Sequence, residues 1–161
     1  MVGIITVLSA LLLSTVGYAR KKGARARAET EIAAMSAACE NYKADNGIYP
    51  RDTTTTDALD TTAAINFGNY QTASQYMYGQ LAGDADFDGV PTSKAYMQFK
   101  PNMLGTDANN KVYPRDPFGN SYGYSTRMAA TGNGGYNPTF DLWSTAGLTT
   151  GNDSTQWIKN W

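Results

Sequence analysis

Histidine is absent from the 161-residue chain, and its absence excludes many familiar catalytic and metal-binding sites. Nucleophiles activated by a histidine, and metal sites built on imidazole, cannot form. The single cysteine, Cys39, cannot form an intramolecular disulfide, and its alanine-rich surroundings indicate a small apolar core residue. No phosphate-binding loop or dinucleotide fingerprint is present. Paired carboxylates are the only acid-base option left, and the 14 acidic residues define no pair, so the sequence indicates a protein without catalytic activity.

Proline is absent before Pro50, which permits one uninterrupted N-terminal helix. Residues 1–19 are apolar and uncharged, and no basic residue precedes them, unlike a secretory signal peptide. We therefore expect this segment to remain in the mature protein. A helix of about 45 residues would be roughly 65 to 70 Å long, more than a small domain can cover. Residues 1–19 are thus predicted to lie in another apolar environment, such as the hydrocarbon core of a membrane.

The second half of this helix is amphipathic. Apolar residues recur at three- and four-residue steps, as expected for a face packed on a domain: Ile32, Met35, Cys39 and Tyr42. Asn46 or Gly47 can adopt the left-handed conformation that ends a helix, and Pro50 prevents its continuation. We predict two parts, a helix over residues 1–46 and a globular domain over residues 47–161.

The globular part is rich in Thr, Gly, Asn, Asp and Tyr, a composition that favours short strands and turns. Aromatic runs at residues 95–99, 121–125 and 140–144 are predicted strands. Residues 57–65 and 73–81 are predicted short helices. The predicted fold class is α+β, with the long helix packed on a small antiparallel sheet and loops.

Positive charge is concentrated immediately after the apolar segment. Five basic residues lie within eight positions: Arg20, Lys21, Lys22, Arg25 and Arg27. From Glu29 onward, eight basic residues face fourteen acidic ones, a net charge of −6. The positive-inside rule would place the basic cluster in the cytoplasm, whereas the composition that follows is typical of an extracytoplasmic domain; basic residues before the segment would resolve this conflict. No nucleic-acid-binding module accompanies the cluster, so no nucleic-acid partner is expected.

One short motif has the composition of a calcium loop. Asp84, Asp86 and Asp88 alternate along the chain and precede Gly89, so that one tight loop can present several hard oxygen ligands. A complete twelve-residue EF-hand loop would end in a glutamate where Ala95 stands, so the motif is incomplete. The alternative is an Asp-rich turn that holds no ion, because Asp and Gly also favour turns.

Four segments, in order along the chain, resemble the type IV pilin-like superfamily, and most closely the major pseudopilin of type II secretion systems. They are residues 40–50 (ENYKADNGIYP), 116–124 (DPFGNSYGY), 140–144 (FDLWS) and 158–161 (IKNW). The resemblance implies a lollipop-shaped subunit whose helix is stored in the inner membrane, with its globular domain in the periplasm, and then packs inside a helical homopolymer. The implied partners are other copies of the chain, membrane lipid, an inner-membrane assembly platform and minor pseudopilins.

The same resemblance implies which residues act. Assembly contacts would involve Val2, Ile4, Ile5, Val7, Leu8, Leu11, Leu12, Leu13, Val16, Arg20, Arg25, Arg27 and Glu29. Calcium would bind in the loop after the FDLWS strand, at Leu142, Ser144, Asn152 and Asp153. That loop keeps only one acidic residue, so Asp84, Asp86 and Asp88 are the alternative calcium ligands.

The chain departs from the family pattern at its start, where a processed glycine, a methylated phenylalanine and a glutamate are expected. By this resemblance, residues 1–8 align partway into the usual helix, so we expect roughly eight further residues before Met1. The alternative is a subunit that assembles without the usual glutamate. The implied function is a structural subunit of a secretion pseudopilus that moves folded substrates outward. A type IV pilus or another adhesive filament is the alternative, and a membrane-anchored hydrolase is a remote one.

Overall fold

A computed structural model describes the backbone of residues 2–161 and the side chains of residues 16–161. Three helices are present: α1 (Val2–Asn46), α2 (Phe67–Ala82) and the short α3 (Arg127–Thr131). Strands β1 (Leu104–Thr106) and β2 (Val112–Pro114) form an antiparallel pair. A second antiparallel sheet has the order β3-β4-β5 and comprises Gly123–Ser125, Asp141–Ser144 and Ile158–Lys159. The fold is therefore α+β, with one long N-terminal helix and small antiparallel sheets.

Helix α1 ends where the sequence predicts. Asn46 is its last residue, and Gly47 adopts a φ of +79° while its amide donates to the Lys43 carbonyl at 2.7 Å. The chain is then held against the domain, because the buried hydroxyl of Tyr124 donates to the Pro50 carbonyl at 2.8 Å. The NGIYP segment thus both ends the helix and connects it to the sheet.

The predicted apolar face of α1 is confirmed. Ile32, Met35 and Cys39 are buried, and Tyr42 packs at the edge of the same cluster. This face covers Met77 and Leu81 of α2 and the inner residues of β3 and β4. Burying one such side chain contributes about 1.5 to 3 kcal/mol, so this stripe holds the second half of α1 on the domain.

Strand β4 is buried along its whole length and joins two apolar clusters. Successive side chains of a strand point to opposite faces, so Leu142 belongs to the cluster beneath α1 and Trp143 to a second cluster with Tyr70 and Trp157. The Trp143 indole lies directly over the backbone of Gly123, its cross-strand partner, where any β-carbon would overlap the ring.

Two predicted elements are wrong, and each has a local reason. Residues 57–65 form turns instead of a helix, because the carboxylate of Asp60 accepts from the backbone amide of Thr62 at 2.8 Å, an alternative to helical pairing. Residues 95–99 belong to no strand, since the amides of Tyr96 and Met97 donate to the last-turn carbonyl of Leu81 in α2. Strand content is also lower than predicted, as each strand has two to four residues.

Among the residues that the structure describes, no helix combines the length and the apolar character needed to cross a bilayer. Most of the predicted membrane or filament-core segment, residues 1–15, lies outside the described side chains.

Candidate assembly surface and candidate metal centre

Helix α1 extends beyond the domain on which it packs. Among its described side chains, from residue 16 onward, the first buried one is Ala28, whereas Val16 and Tyr18 keep 49% and 72% of their surface exposed. Of the predicted assembly residues, Val16, Arg20 and Glu29 are exposed. Eight others lie outside the described side chains: Val2, Ile4, Ile5, Val7, Leu8, Leu11, Leu12 and Leu13.

Two of the predicted assembly arginines fix α1 to its own domain. Arg25 donates from Nη1 to the Gln156 carbonyl at 2.9 Å. Arg27 donates from Nη2 to the Asn102 carbonyl and from Nε to Glu31, both at 2.7 Å. These arginines set the position of the helix on the domain in addition to any role between subunits.

Glu31 completes a buried polar contact that the sequence analysis missed. Its Oε2 accepts from the hydroxyl of Tyr122 at 2.6 Å, and both residues are buried. Burial, followed by the neighbouring Glu31 carboxylate, raises the pKa of Tyr122 well above its usual value, so Tyr122 remains a donor. Glu31 faces the domain. The sequence of the helix alone does not reveal this orientation, because a charged residue normally predicts the solvent face.

Asp116 forms a second buried contact. Its Oδ1 accepts from the amides of Phe118 and Asn120 at 3.0 and 2.9 Å, and its Oδ2 accepts from Ser144 Oγ at 2.6 Å. Burial raises the pKa of Asp116 despite these hydrogen bonds. The turn before β3 is therefore tied to the end of β4.

The acidic loop, residues 84–89, is a tight turn ordered by its first carboxylate. Asp84 is fully buried and accepts from the hydroxyl of Tyr78 at 2.9 Å and from the amides of Gly89 and Asp88 at 2.8 and 3.2 Å. Burial opposes ionisation here, but the hydrogen bonds from Gly89 and Tyr78 lower the pKa of Asp84 overall. Asp86 and Asp88 are exposed.

This loop brings together the three carboxylates that the sequence analysis selected. One oxygen from each of Asp84, Asp86 and Asp88 lies within 4.8 Å of the others. Calcium–oxygen distances of about 2.3 to 2.6 Å allow two ligands of one ion to be that far apart, so the geometry is compatible with calcium. The protein hydrogen bonds of Asp84 also account for the turn without an ion. Calcium therefore stays a prediction for this loop.

The other predicted calcium ligands each have separate protein partners. The Leu142 carbonyl accepts from the Asn160 amide at 3.2 Å, as part of the β4–β5 edge. Ser144 donates to Asp116, and exposed Asp153 accepts from Thr155 at the start of a 3-10 turn. Asn152 reaches the Thr62 carbonyl at 3.5 Å. Their contacts are explained by local structure, and calcium binding here stays a prediction from resemblance alone.

A groove lies between the basic segment of α1 and the loops of the domain. Its volume is about 390 Å³. Basic side chains line the helical wall and apolar or small residues line the facing wall: Arg20, Lys21, Arg25, Phe118, Gly147 and Leu148. We call this feature the basic groove. Its charge is evident from the sequence, but its apolar wall is not, because that wall comes from two loops distant in sequence.

Comparisons of the chain with protein-family models, with curated proteins and with solved structures found no match.

Proposed function

We propose that the protein is a structural subunit of a pilin-like filament, the pseudopilus of a type II secretion system. Subunits would polymerise through α1, and extension of the filament would move folded substrates outward. The observation that carries the proposal is the length of α1, 45 residues, together with the exposure of Val16 and Tyr18 ahead of Ala28, the first buried residue among its described side chains.

A helix that extends past its own domain needs other surroundings if it is apolar. Each Å² of apolar surface left in water costs about 25 cal/mol, so an apolar segment of this length is favoured in lipid or against other helices. We infer that the subunit waits in the inner membrane with its domain in the periplasm. It then transfers to the filament with the help of an assembly platform and minor pseudopilins.

The motifs that resemble pseudopilins support the same proposal because they meet in space. The segment 116–124 leads into β3, residues 140–144 contain β4, and residues 158–161 contain β5, so all three lie in one sheet. Their polar residues also bond to one another: Asn160 Oδ1 accepts from the Leu142 amide at 2.9 Å, and Asp116 accepts from Ser144. Three short matches that form one connected unit are less readily explained by chance than three scattered ones.

Electron microscopy of cells that express the full chain with a secretion apparatus tests the proposal. Thin filaments that contain the protein, together with loss of secretion on deletion of its gene, are expected. Filaments on the cell surface without a secretion defect would favour a type IV pilus. A soluble or membrane-bound monomer that shows hydrolytic turnover and no filaments would overturn the proposal.

A pair of matched variants tests the role of the protruding helix. Val16→Asp adds a charge to an exposed position outside the domain and should abolish filaments while the domain stays folded. Ala108→Asp adds the same charge to an exposed loop of the domain and should leave filaments intact. Equal effects of the two variants would contradict assembly through α1.

A further inference from the structure

The basic groove offers charge that the subunit itself does not neutralise. Among the side chains that the structure describes, neither Arg20 nor Lys21 forms an ion pair with a carboxylate. Among the same described side chains, the Arg25 guanidinium donates a hydrogen bond to the backbone carbonyl of Gln156 and forms no ion pair with a carboxylate. The facing wall, with Phe118 and Leu148, is partly apolar and half-buried. A ligand of this groove would therefore combine negative charge with an apolar contact.

The acidic loop has this combination on its outer surface. Asp86 and Asp88 are exposed, and the next residue beyond the loop, Val90, keeps 59% of its surface exposed. Lys111 Nζ donates to the backbone carbonyl of Asp86 at 2.6 Å, and the three carboxylates of the loop outnumber this one positive charge. The two surfaces are thus complementary in charge and in apolar character.

The segments that carry the two surfaces contact different parts of α1. The acidic loop follows the C-terminal end of α2, where Gln80 accepts from Tyr42 at 2.9 Å. The nearby Lys94 forms an ion pair with Asp45. The basic groove begins some 20 residues earlier along α1, a distance of about 25 to 40 Å at 1.5 Å per residue.

Complementary surfaces on different parts of one molecule can pair between copies, either twice in an antiparallel symmetric dimer or once in each contact of a head-to-tail chain. A polar filament uses the head-to-tail contact, which builds an open chain when it does not close into a ring. We propose that the acidic loop of one copy docks into the basic groove of the next copy. This inference rests on the proposed function, since it names the contact between domains that accompanies packing of the helices.

Disulfide cross-linking in the membrane and in filaments tests the contact directly. The full chain with both Lys21→Cys and Asp88→Cys is oxidised with copper(II) phenanthroline in air. Each pair of thiols gives two electrons to two copper(II) ions, which oxygen reoxidises, and releases its two protons to the solvent. A ladder of dimers, trimers and longer oligomers is expected, because each copy has one thiol on each of the two surfaces. Each single variant should give dimers at most, and the wild type none, since its Cys39 is buried. The combination of Lys21→Cys with Thr131→Cys, on exposed α3, is the matched control and should give no ladder.

Exchange of the charges provides a second test. Reversal of one side, by Arg20→Asp and Lys21→Asp, should reduce sedimentable filaments by about tenfold, the effect of losing close charge pairs across an interface. Reversal of the other side, by Asp86→Lys and Asp88→Lys, should do the same. The four changes together should restore assembly, because each side then carries the charge opposite to the other again. If the substitutions only damage folding, their effects should add, and the fourfold variant should assemble least.

The outcomes separate this inference from the proposed function. Filaments without a cross-linked ladder and without rescue by charge exchange would overturn the contact and leave the filament subunit in place. Absence of filaments from the wild type would overturn both. If Arg20→Asp and Lys21→Asp abolish binding to phosphatidylglycerol vesicles and charge exchange restores nothing, the groove binds lipid headgroups, and the proposed contact is wrong.

Discussion

Replacement of Tyr122 by phenylalanine tests whether α1 is held on the domain by a buried polar contact as well as by its apolar stripe. The hydroxyl of Tyr122 donates to Glu31 Oε2 at 2.6 Å with both residues buried. Tyr122→Phe removes this oxygen and keeps the ring, so no large cavity forms. A hydrogen bond to a charged group contributes about 1.5 to 3 kcal/mol, and Glu31 keeps Arg27 at 2.7 Å. We therefore expect a loss of about 2 kcal/mol in the free energy of unfolding.

Urea unfolding of the full chain in detergent, followed by tryptophan fluorescence, measures this loss, because all three tryptophans lie in the globular part. The midpoint should fall while the slope of the transition stays the same, and the melting temperature should fall by roughly 4 to 8 °C. Tyr136→Phe is the control, since Tyr136 is partly exposed and its ring can still stack on Trp161. Its effect should stay within about 0.5 kcal/mol.

A double-mutant cycle with Glu31→Gln isolates the interaction between the two side chains. Residues in direct contact show a coupling energy of about 0.5 to 3 kcal/mol, and a buried hydrogen bond from a hydroxyl to a carboxylate belongs in the upper part of that range. A coupling energy near zero, or equal losses for Tyr122→Phe and Tyr136→Phe, would refute the reasoning that the Glu31 contact anchors the helix.

Three further predictions concern packing, pH and metal binding. Gly123→Ala should destabilise the domain by about 1 to 3 kcal/mol or more, because its β-carbon would overlap the Trp143 indole. The control Gly23→Ala, on the open face of α1, should stabilise the helix by about 1 kcal/mol. Equal urea midpoints for the two variants would contradict this prediction. Burial raises the pKa of Asp116 in the folded protein above its value in the unfolded chain. The contribution of Asp116 to stability is therefore greatest below the pKa of the unfolded chain and is lost as the pH rises through the pKa of the folded protein. Asp116→Asn cannot ionise and should gain stability relative to the wild type as the pH rises above about 4, the usual pKa of an aspartate; a difference independent of pH would rule this out. Calcium at about ten times its dissociation constant should add about 1.4 kcal/mol to the stability of the wild type but not of Asp86→Ala, which removes the ligand oxygens. Melting with and without chelator measures the difference, and an unchanged wild-type melting temperature would count against an ion in the acidic loop.

The long helix was predictable because its determinants are local. Proline is absent before Pro50, the apolar residues Ile32, Met35 and Cys39 repeat with helical spacing, and Gly47 provides the left-handed residue that ends it. Each of these signals acts within one or two turns of the chain. The structure places all three apolar residues in the core, as that spacing requires.

The segments with competing local signals were harder to predict. Residues 95–99 have the aromatic composition of a strand, yet the amides of Tyr96 and Met97 donate to the carbonyl of Leu81 in the last turn of α2. Residues 57–65 have no proline or glycine, but the carboxylate of Asp60 gives the backbone a different partner. In both cases, the choice depends on which hydrogen-bond partner is within reach, and propensity does not contain that information.

The sequence by itself determined the chemistry of the candidate surfaces: five basic residues after an apolar segment, and three alternating aspartates before a glycine. Only the tertiary structure decided how these residues are used. It buries Asp84 and leaves Asp86 exposed, it turns Glu31 inward against Tyr122, and it places two distant loops opposite Arg20 to form the basic groove. The physical reason is that charge and periodicity are properties of neighbouring residues, whereas burial and complementarity depend on contacts between segments far apart in the chain.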